Sequence, residues 1–216
     1  SSHSSRIRLK NSQILRHYLF NHLDPSLCSD RPMSQNIQLV TILDYLAHGR
    51  EGDESPQYRK SQLLQVIKED GFVLCEIVLK QGRLGVIGDS MNVNDHLDRI
   101  EYTRKIGYGD LSVGAKSELE HIIREIIQND SQKFVDFFNN SNPISIRLHQ
   151  LNLLPGVGGK IRDRILQSRK YSSFESFEDI EEKIDGLYKP QEIILNRVLE
   201  EIKNPDIKYH LFVHAK

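Results

Sequence analysis

Apolar residues in the first half of the chain come in short runs separated by polar turns. Residues 38–46 are rich in Val, Ile, Leu and Tyr, and residues 63–69 and 72–79 repeat the pattern with Asp70-Gly71, a hairpin signal, between them. Lys80-Gln81-Gly82-Arg83 turns the chain into a fourth run at 84–87. In residues 98–106, Ile100, Tyr102 and Ile106 alternate with Glu101, Thr103 and Lys105. This spacing predicts five strands. From Ser112 the period lengthens: Leu119, Ile122, Ile123, Ile126 and Ile127 fall on one face of a helix. Asn129-Asp130-Ser131 ends that helix and caps another, whose Phe134, Val135, Phe137 and Phe138 have the spacing of core residues. Residues 139–143 stop it.

Further on, a short helix ends in Leu153 and Leu154, the chain turns through Pro155-Gly156-Val157-Gly158, and a second helix carries Ile161, Ile165 and Leu166 on one face. Ser176, with Asp179 three residues on, reads as the N-cap of another helix. Ile184-Asp185-Gly186-Leu187 then precedes Pro190 and a last helix bearing Ile193, Ile194, Val198 and Ile202. The fold class expected is α+β. Five strands joined by short turns suit a small closed barrel, OB-like in the first instance and SH3-like as the alternative, because closure removes unprotected edges. The division expected is an N-terminal extension at 1–32, a barrel at 33–109, connecting helices at 110–143 and an all-α tandem hairpin domain at 144–216. Ser1 to Ser5 read like a cloning remnant and Met33 like a natural start; Leu15, Leu19 and Leu23 with Tyr18 are spaced for a short helix between them.

Composition narrows the class. With 38 % hydrophobic and 27 % charged residues, the chain has no apolar run near the ~20 residues of a membrane span, and no secretory signal is recognisable. Cys28 and Cys75 are far apart, the usage of a reduced, cytoplasmic protein. Neither four-ligand zinc spacing nor a His-x-x-x-His pair occurs, so neither metal nor cofactor is expected. A net charge of −1 argues against a protein that coats nucleic acid with its whole surface. The charge is unevenly spread. Arg147, Lys160, Arg162, Arg164, Arg169 and Lys170 face one acid, Asp163, between residues 147 and 171, whereas residues 175–201 hold nine acids against Lys183, Lys189 and Arg197.

The basic segment contains the hairpin. Glycines on both sides of Val157 let the chain turn sharply and leave amide N–H groups outward at the start of a helix, where free donors and the helix dipole favour an anion. A Walker loop is excluded because Leu154 and Ile161 stand where it needs Gly and Ser or Thr, and a dinucleotide fingerprint lacks its third Gly. Leu154-Pro155-Gly156-Val157-Gly158 resembles the helix-hairpin-helix motif of proteins that hold the sugar-phosphate backbone of DNA or RNA. The resemblance implies phosphate contacts by Gly156, Gly158, Gly159 and Lys160. It departs at Arg162, where the motif has a small residue, so either the two helices are more widely spaced or Arg162 turns to solvent. A helix–helix packing turn is the alternative. Residues 144–203 resemble a paired module in which the acidic second copy packs and the first binds.

A polar loop from His48 to Lys60 carries Arg50, Tyr58, Arg59 and Lys60, a combination with which single-strand binders stack a base and hold a phosphate; a solvated loop is the plainer reading. Asp44, His48 and Asp53 lie close enough in sequence to suggest acid, base and ligand, but polar residues at a strand end more often bond a turn, and no catalytic residue is assigned. Asp44-Tyr45-Leu46-Ala47-His48-Gly49-Arg50, Ile106-Gly107-Tyr108, Ala115-Lys116-Ser117-Glu118-Leu119 and the hairpin are similar to an archaeal family carried as domain of unknown function 655, over residues 37–213. The resemblance implies a barrel followed by helix-hairpin-helix elements, nucleotide or RNA binding, and genes near those of translation and rRNA modification.

The function expected is therefore non-catalytic nucleic-acid binding, RNA favoured over DNA, through Gly156, Val157, Gly158, Gly159 and Lys160. Arg162, Arg164, Arg169, Lys170 and Arg147 add charge, and Arg50, Tyr58 and Arg59 a second contact. The competing expectation is an adaptor whose acidic helices dock a basic ribosomal or polymerase subunit. A DNA-binding repair or recombination accessory is the third.

Overall fold

The computed structural model describes residues 38–50 and 61–214. The N-terminal extension, Cys28, Asp53, Tyr58 and Arg59 lie outside the described residues. Five strands, β1 (Leu39–Leu46), β2 (Leu63–Lys68), β3 (Leu74–Leu79), β4 (Ser90–Asn92) and β5 (Ile100–Lys105), form one sheet in the order β4-β1-β2-β3-β5. Every neighbouring pair is antiparallel. β4 and β5 therefore run in the same direction on opposite edges, and no antiparallel ladder can join them. The sheet is open, which corrects the closed barrel expected from strand count.

The run at 84–87 is not a strand. Gly85 and Gly88 take φ of +105° and +87°, which breaks the extended backbone on either side of Val86 and Ile87. Leu84 is buried, but Val86 and Ile87 remain half exposed. The chain reaches the sheet edge only after this bend: the Ile42 amide donates to Asp89 O at 3.0 Å and the Gly88 amide to Ile42 O at 2.9 Å, beside the irregularity in β1 between Ile42 and Asp44. What remains to pair as β4 is three residues long.

Alternation along the strands gives the sheet two apolar faces. Val40, Ile42, Leu64, Val66, Cys75 and Ile77 pack on one side with Leu84, Val93 and Ile100; burial there pushes the Cys75 thiol up from its ordinary pKa. On the other side Leu43, Ile67 and Leu74 join a core continuous with the helices. The middle of that second face is polar. Glu76, fully buried, accepts from Gln65 Nε2 at 3.2 Å, from Arg104 Nε at 2.8 Å and from the Arg50 guanidinium. Gln65 passes the network on, donating to Asp110 O and accepting from the Ser112 amide at 2.8 Å.

Five α-helices follow: α1 (Val113–Asn129), α2 (Ser131–Asn140), α3 (Gly159–Tyr171), α4 (Phe177–Lys183) and α5 (Pro190–Lys203). Ser112 caps α1, accepting from the Ala115 amide at 2.9 Å and donating to Asp44 Oδ2. The expected stripe of α1 is buried and lies between β1 and α5, while Phe134, Val135 and Phe138 of α2 enter the same core. Ser176 caps α4 through the Asp179 amide, as its spacing predicts. α5 buries more than its apolar stripe. Glu201 accepts from Arg197 Nε at 2.8 Å and from the amides of Leu211, Phe212 and Val213 at 2.7, 3.0 and 2.9 Å. Phe212 then packs on Phe134 and Phe137, and the His214 amide reaches Gly71 O. Among the described residues no helix is long and apolar enough to cross a membrane.

Candidate nucleic-acid interface

The hairpin is positioned by residues just before it. His149, buried, accepts the Leu151 amide on Nδ1 at 3.1 Å, and Asn152 Oδ1 faces the His149 amide at 3.4 Å. These caps hold a single 3-10 turn, Gln150–Leu153, where the sequence suggested a short helix ending in Leu153 and Leu154; Leu154, the residue before Pro155, is extended, so the turn stops there. Burial lowers the His149 pKa first, and Arg169 and Arg162 lower it further, so the imidazole stays neutral and available as an acceptor.

Gly156 has a φ of +77°, a left-handed conformation that favours glycine. Gly158 does not share it. Its φ is −79°, and what it lacks is bulk: a Cβ on Gly156 or Gly158 meets no atom within 4 Å, so the space beside both α-carbons is open. Val157 points inward. Its side chain is buried and its amide donates to Leu154 O at 3.1 Å, which removes it from the contacting set. The α3 ladder opens with the Arg162 amide on Gly158 O. Among the described residues the amides of Gly156, Gly158, Gly159, Lys160 and Ile161 have no acceptor, and they gather at the positive end of a helix of 13 residues.

The six cations divide into two groups. Lys160, Lys170 and Arg147 are exposed, and no carboxylate pairs with them among the described residues. The arginines between are engaged. Arg162, mostly buried, pairs with Asp163 at 2.8 Å and sends Nη1 to Asn152 Oδ1 at 3.2 Å; it folds over the 3-10 turn and does not swing into solvent. Arg164 bonds Asp185 in the turn between α4 and α5, both its carbonyl and, at 3.1 Å, its carboxylate. Arg169 is a structural residue, donating to Phe138 O, Ser141 Oγ and Ser141 O at 3.0, 3.1 and 2.9 Å. Arg50 rests on Glu76, with its side chain 42 % exposed.

Three neighbours of the site escaped the sequence reading. His149 and Asn152 stand three apart, a capping spacing with His in place of the usual Ser or Thr. Ile146 is fully exposed at the tip of a tight turn held by Ile144–Leu148 and Ser145–Leu148 backbone bonds, with Arg147 beside it. Among the acids downstream, Asp179, Asp185, Glu192, Glu200 and Glu201 are paired with Lys183, Arg164, Arg124 and Arg197, whereas Glu175, Glu178, Glu181 and Glu182 lie exposed on and before α4. Asp44 accepts the Ser112 hydroxyl and the Tyr45 amide.

The sequence profile of the family described as a protein of unknown function, DUF655, matches residues 37–214. The chain belongs to this family. DUF655 relatives include an uncharacterized protein of Methanocaldococcus jannaschii, 34 % identical over 178 residues that make up 81 % of this chain and 79 % of that one. The crystal structure of a DUF655 protein from Archaeoglobus fulgidus is similar at 38 % identity with a TM-score of 0.71, covering 82 % of this chain and 99 % of the other. The DUF655 match thus spans the sheet and all five α-helices.

Proposed function

We propose that this DUF655 protein is a non-catalytic nucleic-acid-binding protein, RNA favoured, that holds the sugar-phosphate backbone at the hairpin between Leu154 and α3. The observation that carries the reading is the group of unpaired amides at Gly156, Gly158, Gly159, Lys160 and Ile161 beside the free Lys160 ammonium. Oriented amides at a helix start suit a phosphate, and they discriminate charge and shape without reading bases. In this reading the segment is a helix-hairpin-helix whose first helix has shrunk to one turn, and the Arg164–Asp185 link makes the second hairpin its brace. The contacting cations are Lys160, Lys170 and Arg147; Arg162 and Arg164 contribute field through their partly neutralised charges, and Arg169 supports the scaffold.

Lys160→Glu tests it. The expected outcome in fluorescence-anisotropy titrations with structured RNA and duplex DNA is a uniform loss of affinity across sequences, with the salt slope reduced by about one unit. Unchanged affinity at low salt would remove the site. The exposed acids Glu175, Glu178, Glu181 and Glu182, together with Tyr171 and Tyr188 at 89 % and 70 % exposure, favour a second reading, an adaptor that docks a basic ribosomal or polymerase protein. Capture before and after nuclease treatment separates the two, because RNA-bridged partners are lost and direct ones stay.

A further inference from the structure

The strand registers line up two rows of residues across the face of the sheet that carries the helices. Asp44, Gln65, Glu76 and Arg104 are successive partners on β1, β2, β3 and β5. Leu46, Leu63, Val78 and Tyr102 form the next row, two residues away on each strand and therefore on the same face. Leu63 and Val78 are buried, whereas Tyr102 is 51 % exposed. Both rows end on β5, an edge strand, so Tyr102 and Arg104 stand about 7 Å apart at the open side of the sheet.

Arg104 is one of two arginines on a single carboxylate. Its Nε donates to Glu76 Oε2 at 2.8 Å, and the Arg50 guanidinium bonds that same oxygen and, from Nε at 3.1 Å, Oε1. The Glu76 side chain has no exposed surface, but those of Arg50 and Arg104 keep 42 % and 39 % of theirs. One guanidinium neutralises one carboxylate, and Gln65 Nε2 already adds a donor at 3.2 Å, so the second arginine brings a surplus positive charge. Asp44, the next carboxylate in the row, lies beyond Gln65 and is taken by the Ser112 hydroxyl and the Tyr45 amide. Among the described residues no group accepts from the Nη atoms of Arg104. Two cations held on one oxygen repel each other, and an anion spanning them offsets that repulsion. Guanidinium forks match phosphate oxygens, and an exposed phenol ring takes the face of any base. We infer that this edge of the sheet binds a nucleoside phosphate, its phosphate on the unused N–H groups of Arg104 and Arg50 and its base stacked on Tyr102. The inference uses none of the hairpin residues and is independent of that reading.

Adenosine monophosphate is the probe, with adenosine and inorganic phosphate as its two halves, added to the full chain in an NMR titration of backbone amides and arginine Nε–H groups. The expected result is saturable shifts at the Arg50 and Arg104 Nε–H groups and the Tyr102 amide, at lower concentration for the nucleotide than for either half. Penta-adenylate distinguishes the sources: tighter binding than the monomer at the same signals assigns one unit of a single strand, and equal or weaker binding a free nucleotide. Tyr102→Ala, a change at an exposed edge position, is expected to weaken nucleotide binding about tenfold, and Tyr102→Phe to restore it. Arg104→Gln leaves Glu76 with Arg50 and Gln65 and is expected to weaken the nucleotide and inorganic phosphate alike. Absence of saturable shifts at those groups, equal nucleotide affinity in Tyr102→Ala, or shifts confined to Gly156–Lys160 would each overturn the assignment. The last would leave the hairpin reading standing.

Discussion

His149 shows how much a single uncharged ring can decide. Its folded-state pKa lies below the ordinary 6.5, because burial and the nearby Arg169 and Arg162 disfavour the imidazolium. Below that ordinary value the unfolded chain takes up a proton that the folded protein refuses, so stability rises with pH through this window. The contribution is complete above about pH 6.5 and is lost as pH falls toward the lowered folded value. Thermal melts between pH 7 and pH 5 are expected to show Tm falling as acid is added, with the slope flattened in His149→Asn. Sequence alone had no means of marking this residue, since a capping histidine shares its spacing with many that cap nothing. Arg169 was misread for a related reason: a cation near a helix end suggests a free charge until its carbonyl partners on another helix are located.

At the scale of elements, what repeats locally was legible and what depends on distant partners was not. Period-2 and period-3.6 patterns located β1, β2, β3, β5, α1, α2 and α5 to within a few residues. The closed barrel failed because strand direction at the two edges is set by connections, not by the composition of any strand. The run at 84–87 failed because Gly85 and Gly88 at positive φ outweigh the β propensity of Val86 and Ile87. In the hairpin, α3 and the turn were readable, whereas the shortening of the preceding helix to one turn depends on His149 and Asn152. The join of α3 to α2 rests on Arg169. Arg169→Ala removes three donors to Phe138 and Ser141 and is expected to cost about 2 kcal/mol in urea unfolding, with RNA affinity retained once the folded fraction is taken into account.

For the whole molecule the near-zero net charge conceals a division of labour. Five of the nine acids in 175–201 are paired, by Arg124, Arg164, Lys183 and Arg197, and of these Glu201 alone is fully buried, so the chain is less polarised than its sequence suggests. Arg197 and Glu201, four residues apart and counted in the sequence only as charges, are buried with the segment 209–213 wrapped on them. Glu201→Gln keeps the shape and removes the charge that three amides and a guanidinium face. It is expected to lower unfolding free energy by about 3 kcal/mol and to speed hydrogen exchange at Leu211, Phe212 and Val213 more than elsewhere.

That same carboxylate has a timetable. On a ribosome, Glu201 emerges before residues 209–213, so for a short interval it has its arginine but no amides, and the aromatic cluster under Phe212 stays uncovered. A nascent chain at this stage has all five helices but not the strap of residues 209–213, so Glu201 is fully satisfied and the aromatic core covered only once that strap has followed α5 out of the exit tunnel.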